Sequence, residues 1–114
     1  MGSVLVDHGA VLHHPAQEEI QLPAVLHALS DPQRLHIVRE LASDSEPRPC
    51  GSIELPVTKS TMTHHFRVLR EAGVIRQERR GTAKLTSLRR EDLDARFPGL
   101  LDAVLSSAPA ALQP

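Results

Sequence analysis

The sequence predicts a mainly helical domain with one small β-hairpin, and two observations support this fold class. Apolar residues recur at helical spacing in several segments, and two of these segments begin at good capping residues. After Gly73 the pattern changes to two short strand-like runs separated by Arg80-Gly81-Thr82, which is typical of a hairpin. With 114 residues, the chain fits a single domain.

The N-terminal part predicts an irregular arm followed by a first helix. Residues 1–16 show no clear period, and we interpret them as a flexible arm or a short irregular extension. A helix is expected from Gln17 to Leu29, with Pro23 in its first turn or at a bend. Its loose apolar stripe consists of Ile20, Val25, Leu26 and Leu29.

The second helix has a firmer signal because Asp31 is a good N-cap and Pro32 suits the first helical position. It should end near Ser43, and its apolar positions are Leu35, Ile37, Val38, Leu41 and Ala42. A polar loop with two prolines then leads to a short helix expected from Cys50 to Leu55. Ile53 and Leu55 should point inward there, and Pro56 should stop the helix.

The most regular segment follows Thr58, which is a good N-cap. Residues 59–72 contain no Gly or Pro, and Gly73 is the expected residue just past the helix end. The spacing predicts one buried stripe, made of Met62, Phe66 and Leu69. The opposite face then presents hydroxyl, histidine and arginine side chains.

The C-terminal part predicts the hairpin and one further helix. Strands are expected over residues 74–79 and 83–88. The last helix should start near Arg90 and be kinked or broken at Pro98-Gly99, with an apolar face made of Leu93, Phe97, Leu100, Leu101 and Val104. The domain therefore spans residues 17–105, and residues 106–114 form a frayed tail.

The charge distribution is strongly asymmetric although the formal net charge is only −1. Between Thr58 and Arg90 there are nine basic and two acidic residues, whereas the remainder has four basic and twelve acidic residues. The net charge is therefore +7 in that segment and −8 elsewhere. Such a positive segment is the electrostatic signature of a polyanion-binding surface.

The order of short helix, turn, capped helix and hairpin is that of a winged helix-turn-helix, which predicts a DNA-binding protein. The helix after Thr58 would enter the major groove, and the hairpin would act as a wing that reaches phosphates. Arg67 is the candidate for a bidentate guanine contact, while Lys59, Arg70, Arg79 and Arg80 suit phosphates. The full candidate interface comprises Lys59, Ser60, Thr61, Thr63, His64, Arg67, Arg70, Arg79, Arg80 and Gly81.

Two segments resemble a known family. The stretch from Leu29 to Leu41 (LSDPQRLHIVREL) and the stretch from Lys59 to Gly73 (KSTMTHHFRVLREAG) are similar to the ArsR/SmtB family of bacterial transcriptional repressors. The resemblance runs from about Leu22 to Leu101. It implies a homodimer built from the first and last helices, a pseudo-palindromic double-stranded operator, and a packing role for His65 with His64 facing DNA.

The metal-binding motifs of that family are absent. Cys50 is the single cysteine and is followed by Gly51-Ser52, and the last helix has acidic residues but no histidine. We therefore expect no metal and no cofactor, although an unconventional metal or redox site involving His8, His13, His14 or Cys50 stays open.

Other function classes are less compatible with the sequence. We expect no enzyme activity, because neither a phosphate-binding glycine loop nor a nucleophile–base pair is present. No membrane-span or signal-peptide pattern is found, so we expect a cytoplasmic protein. The alternative function is a dimeric winged-helix module that binds another protein.

Overall fold

The fold is mainly helical and carries a small antiparallel sheet. A computed structural model describes residues 12–107, and in this range it contains five α-helices, three strands and two 3-10 turns. The helices are α1 (Leu22–Leu29), α2 (Pro32–Ala42), α3 (Lys59–Ala72), α4 (Arg90–Arg96) and α5 (Leu100–Ser107). The strands are β1 (Arg48–Pro49), β2 (Ile75–Arg80) and β3 (Ala83–Leu88), and the 3-10 turns are Gln17–Glu19 and Cys50–Ser52. This architecture confirms the predicted winged helix-turn-helix.

The first helix begins later than predicted. Only a 3-10 turn occupies Gln17–Glu19, and Ile20 and Gln21 are extended before α1 begins at Leu22. The prediction of a helix from Gln17 was wrong because Pro23 lacks an N–H and its ring clashes with the carbonyl four residues back, so it favours a helix start at this point. The extended backbone carries Ile20 into the core, where it is buried.

The prediction of a short helix from Cys50 to Leu55 was also wrong, because the helical segment is shorter than expected. The chain forms one 3-10 turn at Cys50–Ser52, after which Ile53 is extended and buried. The preceding Arg48 and Pro49 pair with β3, and the Arg48 guanidinium donates to the Ser52 carbonyl at 3.1 Å. These sheet and side-chain contacts hold the segment in a tight turn, and Leu55 is only half-buried.

The helices α2 and α3 have the predicted ends because local capping determines them. The Asp31 carboxylate accepts from the backbone N–H groups of Gln33 and Arg34, and the Thr58 hydroxyl accepts from that of Thr61. Gly73 ends α3 with a φ of +91°, in the left-handed region that glycine adopts without steric cost. The positions and limits of these two helices confirm the prediction.

One core joins the helices to the sheet; the predicted core residue Leu26 lies outside it, and the predicted Met62 packs at its edge. The buried apolar residues of α1 to α3 are Val25, Ala28, Leu29, Ile37, Val38, Leu41, Phe66, Leu69 and Ala72. By contrast, Leu26 is 48% exposed, and Met62 is only half-buried. Leu26 was expected in the apolar stripe of α1, but it lies with exposed Leu22 on a second face, since residues four apart share one side of a helix.

The wing is a regular hairpin. Strands β2 and β3 pair antiparallel from Ile75 opposite Leu88 to Arg80 opposite Ala83, and Gly81-Thr82 forms the loop. The first strand is shifted by one residue from the predicted 74–79. The predicted break of the last helix is confirmed, because α4 ends at Arg96 and α5 begins at Leu100, with Gly99 at φ +84° between them.

Candidate nucleic-acid interface

The α3 helix has one buried and one exposed face, and the exposed face holds much of the predicted interface. His65, Phe66, Leu69 and Ala72 are buried, which extends the predicted stripe. The exposed residues are Lys59, Ser60, Thr63, His64, Arg67 and Glu71. Spacings of three and four residues place Ser60, Thr63, His64 and Arg67 along one side of the helix.

The hydroxyl groups at the start of α3 are tied to the local backbone. The Thr58 hydroxyl donates to the Thr61 hydroxyl at 3.0 Å, and Thr61 is half-buried. The Thr63 hydroxyl donates to the Lys59 carbonyl at 3.1 Å, which leaves its methyl group and its oxygen lone pairs on the exposed face. Thr63 can therefore accept a hydrogen bond or make an apolar contact, whereas Thr61 takes part in the cap.

The wing tip carries a concentration of positive charge. Arg79 and Arg80 are exposed, and Gly81 follows at φ +63°, with open space around the position of a Cβ. Arg80 Nη2 lies 3.1 Å from the Glu78 carboxylate, while Arg79 is directly opposite Lys84 in the hairpin register. Like charges directly opposite each other destabilise a hairpin, and an anionic partner bound here would reduce the repulsion between Arg79 and Lys84.

Arg70 is placed differently from the other candidate residues. It is half-buried, and its Nη1 donates to Gln77 Oε1 at 2.8 Å. Gln77 Nε2 in turn donates to Cys50 Sγ at 3.1 Å, and Cys50 Sγ lies 2.9 Å from the Thr86 hydroxyl. This chain of contacts fastens α3 to the wing and to the 3-10 turn at Cys50–Ser52.

Gln77 and Thr86, which were not among the residues predicted from the sequence, complete this network. Both are buried and lie opposite each other in the sheet. The signal was available, because strand alternation puts Gln77 on the same inward face as Ile75. The main-chain N–H of Gln77 also donates to His14 Nε2 at 3.0 Å, and burial is the largest cause that lowers the pKa of His14.

His65 holds α3 against the preceding helix, whereas His64 is exposed. The buried guanidinium of Arg34 donates from Nη1 to His65 Nδ1 at 3.1 Å and from Nε to the Ala28 carbonyl at 2.7 Å. Because arginine stays protonated, His65 Nδ1 is the acceptor in this bond. Burial is the largest cause that lowers the pKa of His65, with the Arg34 charge acting in the same direction.

The sequence is similar to that of known helix-turn-helix proteins. Residues 29–78 match a family described as a helix-turn-helix domain. Over 91 residues, the chain is 33% identical to the uncharacterized HTH-type transcriptional regulator YceK of Bacillus subtilis (strain 168), covering 77% of this chain and 91% of YceK. The chain belongs to the helix-turn-helix family of transcriptional regulators. A second relative, the uncharacterized HTH-type transcriptional regulator MJ1325 of Methanocaldococcus jannaschii, is 34% identical over 59 residues, or 51% of this chain and 66% of MJ1325.

The family match covers specific parts of this helix-turn-helix regulator. It includes α2, the 3-10 turn and the whole of α3, and it ends within β2 before the wing tip. The charged loop of the hairpin therefore lies beyond the matched region. Within residues 12–107, no helix of the regulator is both long and apolar enough to cross a bilayer.

The histidine and cysteine residues of the regulator do not converge in its described part. Across residues 12–107, no group of three or more His, Cys, Asp or Glu residues is arranged to hold a metal ion. Cys50 contacts Gln77 and Thr86, His14 accepts from Gln77, and His13 is exposed. His8, which sequence reasoning had considered with them, lies outside the described residues.

Proposed function

We propose that this regulator is a homodimeric repressor of the ArsR/SmtB type that binds a pseudo-palindromic operator through α3 and the wing. The observation that carries the proposal is the exposed stripe of Ser60, Thr63, His64 and Arg67 on α3, in a domain whose wing tip also exposes two arginines. A cytoplasmic location follows from the proposal, because operator DNA lies there. The proposed regulation needs no resident metal.

The exposed stripe has a length that suits the major groove. Ser60 and Arg67 are seven residues apart, which corresponds to about 10 Å along a helix, and the groove is about 12 Å wide. Arg67 supplies the fork geometry that matches the O6 and N7 atoms of guanine. Thr63 and His64 read neighbouring base edges, while Ser60 and Thr61 lie near the helix N-terminus, where backbone N–H groups favour phosphate.

The remaining basic residues supply affinity rather than sequence choice. Lys59, Arg79 and Arg80 are exposed and bind phosphates, and Gly81 allows the wing tip to approach the sugar–phosphate backbone closely. From the sequence, Arg70 was also expected to bind phosphate. Its hydrogen bond to Gln77 instead supports a positioning role, in which Arg70 sets the distance between α3 and the wing.

The proposed dimer uses the outer helices. Leu22 and Leu26 are the exposed large apolar residues of the described chain, and both lie on α1. Leu100, Val104 and Leu105 of α5 are half-buried and pack at the edge of the core. A second copy that covered these residues would remove apolar surface from water and place two α3 helices on successive turns of DNA.

Duplex binding measured as a function of salt concentration tests the proposal. A duplex selected by the protein from a random pool should bind with an affinity that falls steeply with salt, because each phosphate contact releases a counterion. Arg79→Ala should reduce the slope of log K against log salt by about one. The matched control is Arg90→Ala, since Arg90 pairs with Asp102 away from the wing tip and should leave the slope unchanged. No duplex binding at low salt would refute the proposal.

A further inference from the structure

A cleft between α3 and the wing shares three residues, Lys59, Thr63 and Arg67, with the proposed DNA contacts. It has a volume of about 620 Å³ and lies between the 3-10 turn at Cys50–Ser52, one side of α3 and the hairpin. This size is within the range of pockets that bind small molecules. The cleft is bounded by residues of several elements, so an occupant would touch α3 and the wing at the same time.

The walls of the cleft combine apolar surface with one sign of charge. The apolar part is formed by Leu12, Val57, Met62 and Phe66. Four cationic residues line the same space, namely Lys59, Arg67, Arg70 and Lys84. Among the described residues, no Asp or Glu lines the cleft. A ligand with an apolar body and a negative charge matches these walls, because it covers the apolar surface and pairs with the cations.

The cations of the cleft wall lack a carboxylate partner in the described part of the chain. Ion pairs within residues 12–107 involve His36, Arg48, Arg80, Arg89 and Arg90, none of which lines the cleft. A carboxylate in the cleft would supply acceptor oxygens and a counter-charge to these cations.

We propose that this cleft binds an organic carboxylic acid with an aromatic or aliphatic body and that such an acid releases the regulator from DNA. The coupling rests on the proposed function, because Lys59 and Arg67 would serve both ligands. A carboxylate that engages Arg67 withdraws the side chain from guanine and neutralises charge at the DNA face. The acid and the duplex therefore compete for the same two cations.

Binding of naphthylacetate to the DNA-free protein tests the site itself. Calorimetry should show saturable binding that is at least about tenfold tighter than binding of naphthylacetamide, which has the same apolar body without the charge. Acetate, which has the charge without the apolar body, should bind far more weakly. Changes in the methyl NMR signal of Met62 should accompany the binding of naphthylacetate. Equal affinity for acid and amide, or no saturable binding, would overturn the proposal.

A pair of wing variants locates the site. Lys84→Gln should weaken naphthylacetate binding about tenfold, because it removes one charged donor from the cleft wall. Arg76→Gln makes a comparable change on the same hairpin, but Arg76 is exposed and does not line the cleft, so its affinity should stay within about twofold of the wild type. Thermal unfolding of both variants verifies that they fold. Equal weakening by both variants would place the acid elsewhere and refute the site.

A separate measurement tests whether binding of the acid releases DNA. Naphthylacetate at a saturating concentration should release the selected duplex, and naphthylacetamide at the same concentration should not. Retention of the duplex by protein whose Met62 signal shows a filled cleft would refute the coupling while leaving the site intact. Conversely, acid binding by a protein that binds no duplex at low salt would refute the proposed function and not the cleft.

Discussion

At the scale of single residues, Arg34 is a buried cation that is balanced by dipoles and by a neutral histidine. Its guanidinium donates to the carbonyls of His27 and Ala28 at 3.2 and 2.7 Å, at the C-terminal end of α1. Helix C-termini carry partial negative charge, so these contacts offset the desolvation of the cation. The remaining contact, to His65 Nδ1, needs an unprotonated ring and so links the position of α3 to pH.

This contact predicts an acid-sensitive fold. The pKa of His65 is lowered from 6.5 mainly by burial, and the charges of Arg34 and His64 act in the same direction, against that of Asp31. As the pH falls below 6.5, the unfolded chain binds a proton at this residue that the folded chain does not yet bind. The free energy of unfolding should therefore decrease as the pH falls through 6.5 towards the folded pKa of His65.

A pair of histidine variants provides the test. Urea unfolding of the wild type between about pH 7.5 and about pH 5.5 should show stability falling towards acid. His65→Asn keeps an acceptor but cannot titrate, so the pH dependence should become shallower. His64→Asn removes only the smallest of the charges that lower the pKa of His65, so it should change the dependence less than His65→Asn does. Identical profiles for His65→Asn and the wild type would contradict the assignment.

At the scale of elements, the distance between α3 and the wing is fixed by polar contacts as well as by the core. Arg70 reaches Gln77, and Gln77 reaches Cys50, so one side chain of β2 joins a helix to a 3-10 turn. Buried polar groups are costly when they lose a partner, and such a network therefore favours one arrangement of its elements. The proposed reading helix and wing depend on that arrangement to meet DNA together.

Removal of Gln77 should loosen this junction. Gln77→Ala leaves Arg70 and Cys50 without their shared partner, and the free energy of unfolding should fall by about 1–3 kcal/mol. Glu78→Ala is the matched control, because Glu78 is the next residue of β2 and is exposed, so its effect should stay within about 0.5 kcal/mol. Denaturant unfolding measures both values. A Gln77→Ala protein as stable as the control would show that the network does not stabilise the junction.

Elements with local end signals could be predicted from the sequence, whereas those shaped by tertiary contacts could not. Asp31, Thr58 and Gly73 determine the limits of α2 and α3 through capping, which depends on near neighbours alone. The 3-10 turn at Cys50–Ser52 differs from the predicted helix because β1 pairs with a strand more than thirty residues away. The junction at Gln77 was missed for the same reason, since its partners come from three separate elements.

Some features of the candidate site could likewise be predicted from local sequence, whereas others depend on tertiary contacts. The exposed side of α3 could be predicted from helical spacing, and the structure places Thr63, His64 and Arg67 there. Spacing could not show that Arg70 turns towards Gln77, because that orientation depends on the strand packed beside the helix. The cleft beside α3 likewise arises only when the wing and the 3-10 turn come together.

At the scale of the whole molecule, exposed leucines on α1 and a positive α3–wing surface lie on one small domain. Small helical domains bury a modest fraction of their surface and often complete their core by association. Leu22 and Leu26 are 40% and 48% exposed, and the proposed dimer would cover them. Dimerisation would also supply the two-fold arrangement that a pseudo-palindromic site requires.

The proposed dimer should be sensitive to charge on α1. Leu26→Glu should shift the protein towards monomer in sedimentation equilibrium, because it places a carboxylate in a surface that loses water on association. Ala24→Glu is the control, since Ala24 is exposed on another side of α1 and should leave the association unchanged. Dimerisation of Leu26→Glu with wild-type affinity, or a monomeric wild type, would contradict the proposed interface.

We propose that α3 reads sequence while the wing supplies affinity, and the ratio of the affinities for the selected and a scrambled duplex separates these two roles. Arg67→Ala should reduce the free energy of binding to the selected duplex by about 1–3 kcal/mol and change that to the scrambled duplex little. The ratio should therefore fall by about tenfold or more. Arg79→Ala should weaken both duplexes alike and preserve the ratio. An unchanged ratio for Arg67→Ala would contradict the assignment of α3 as the reading helix.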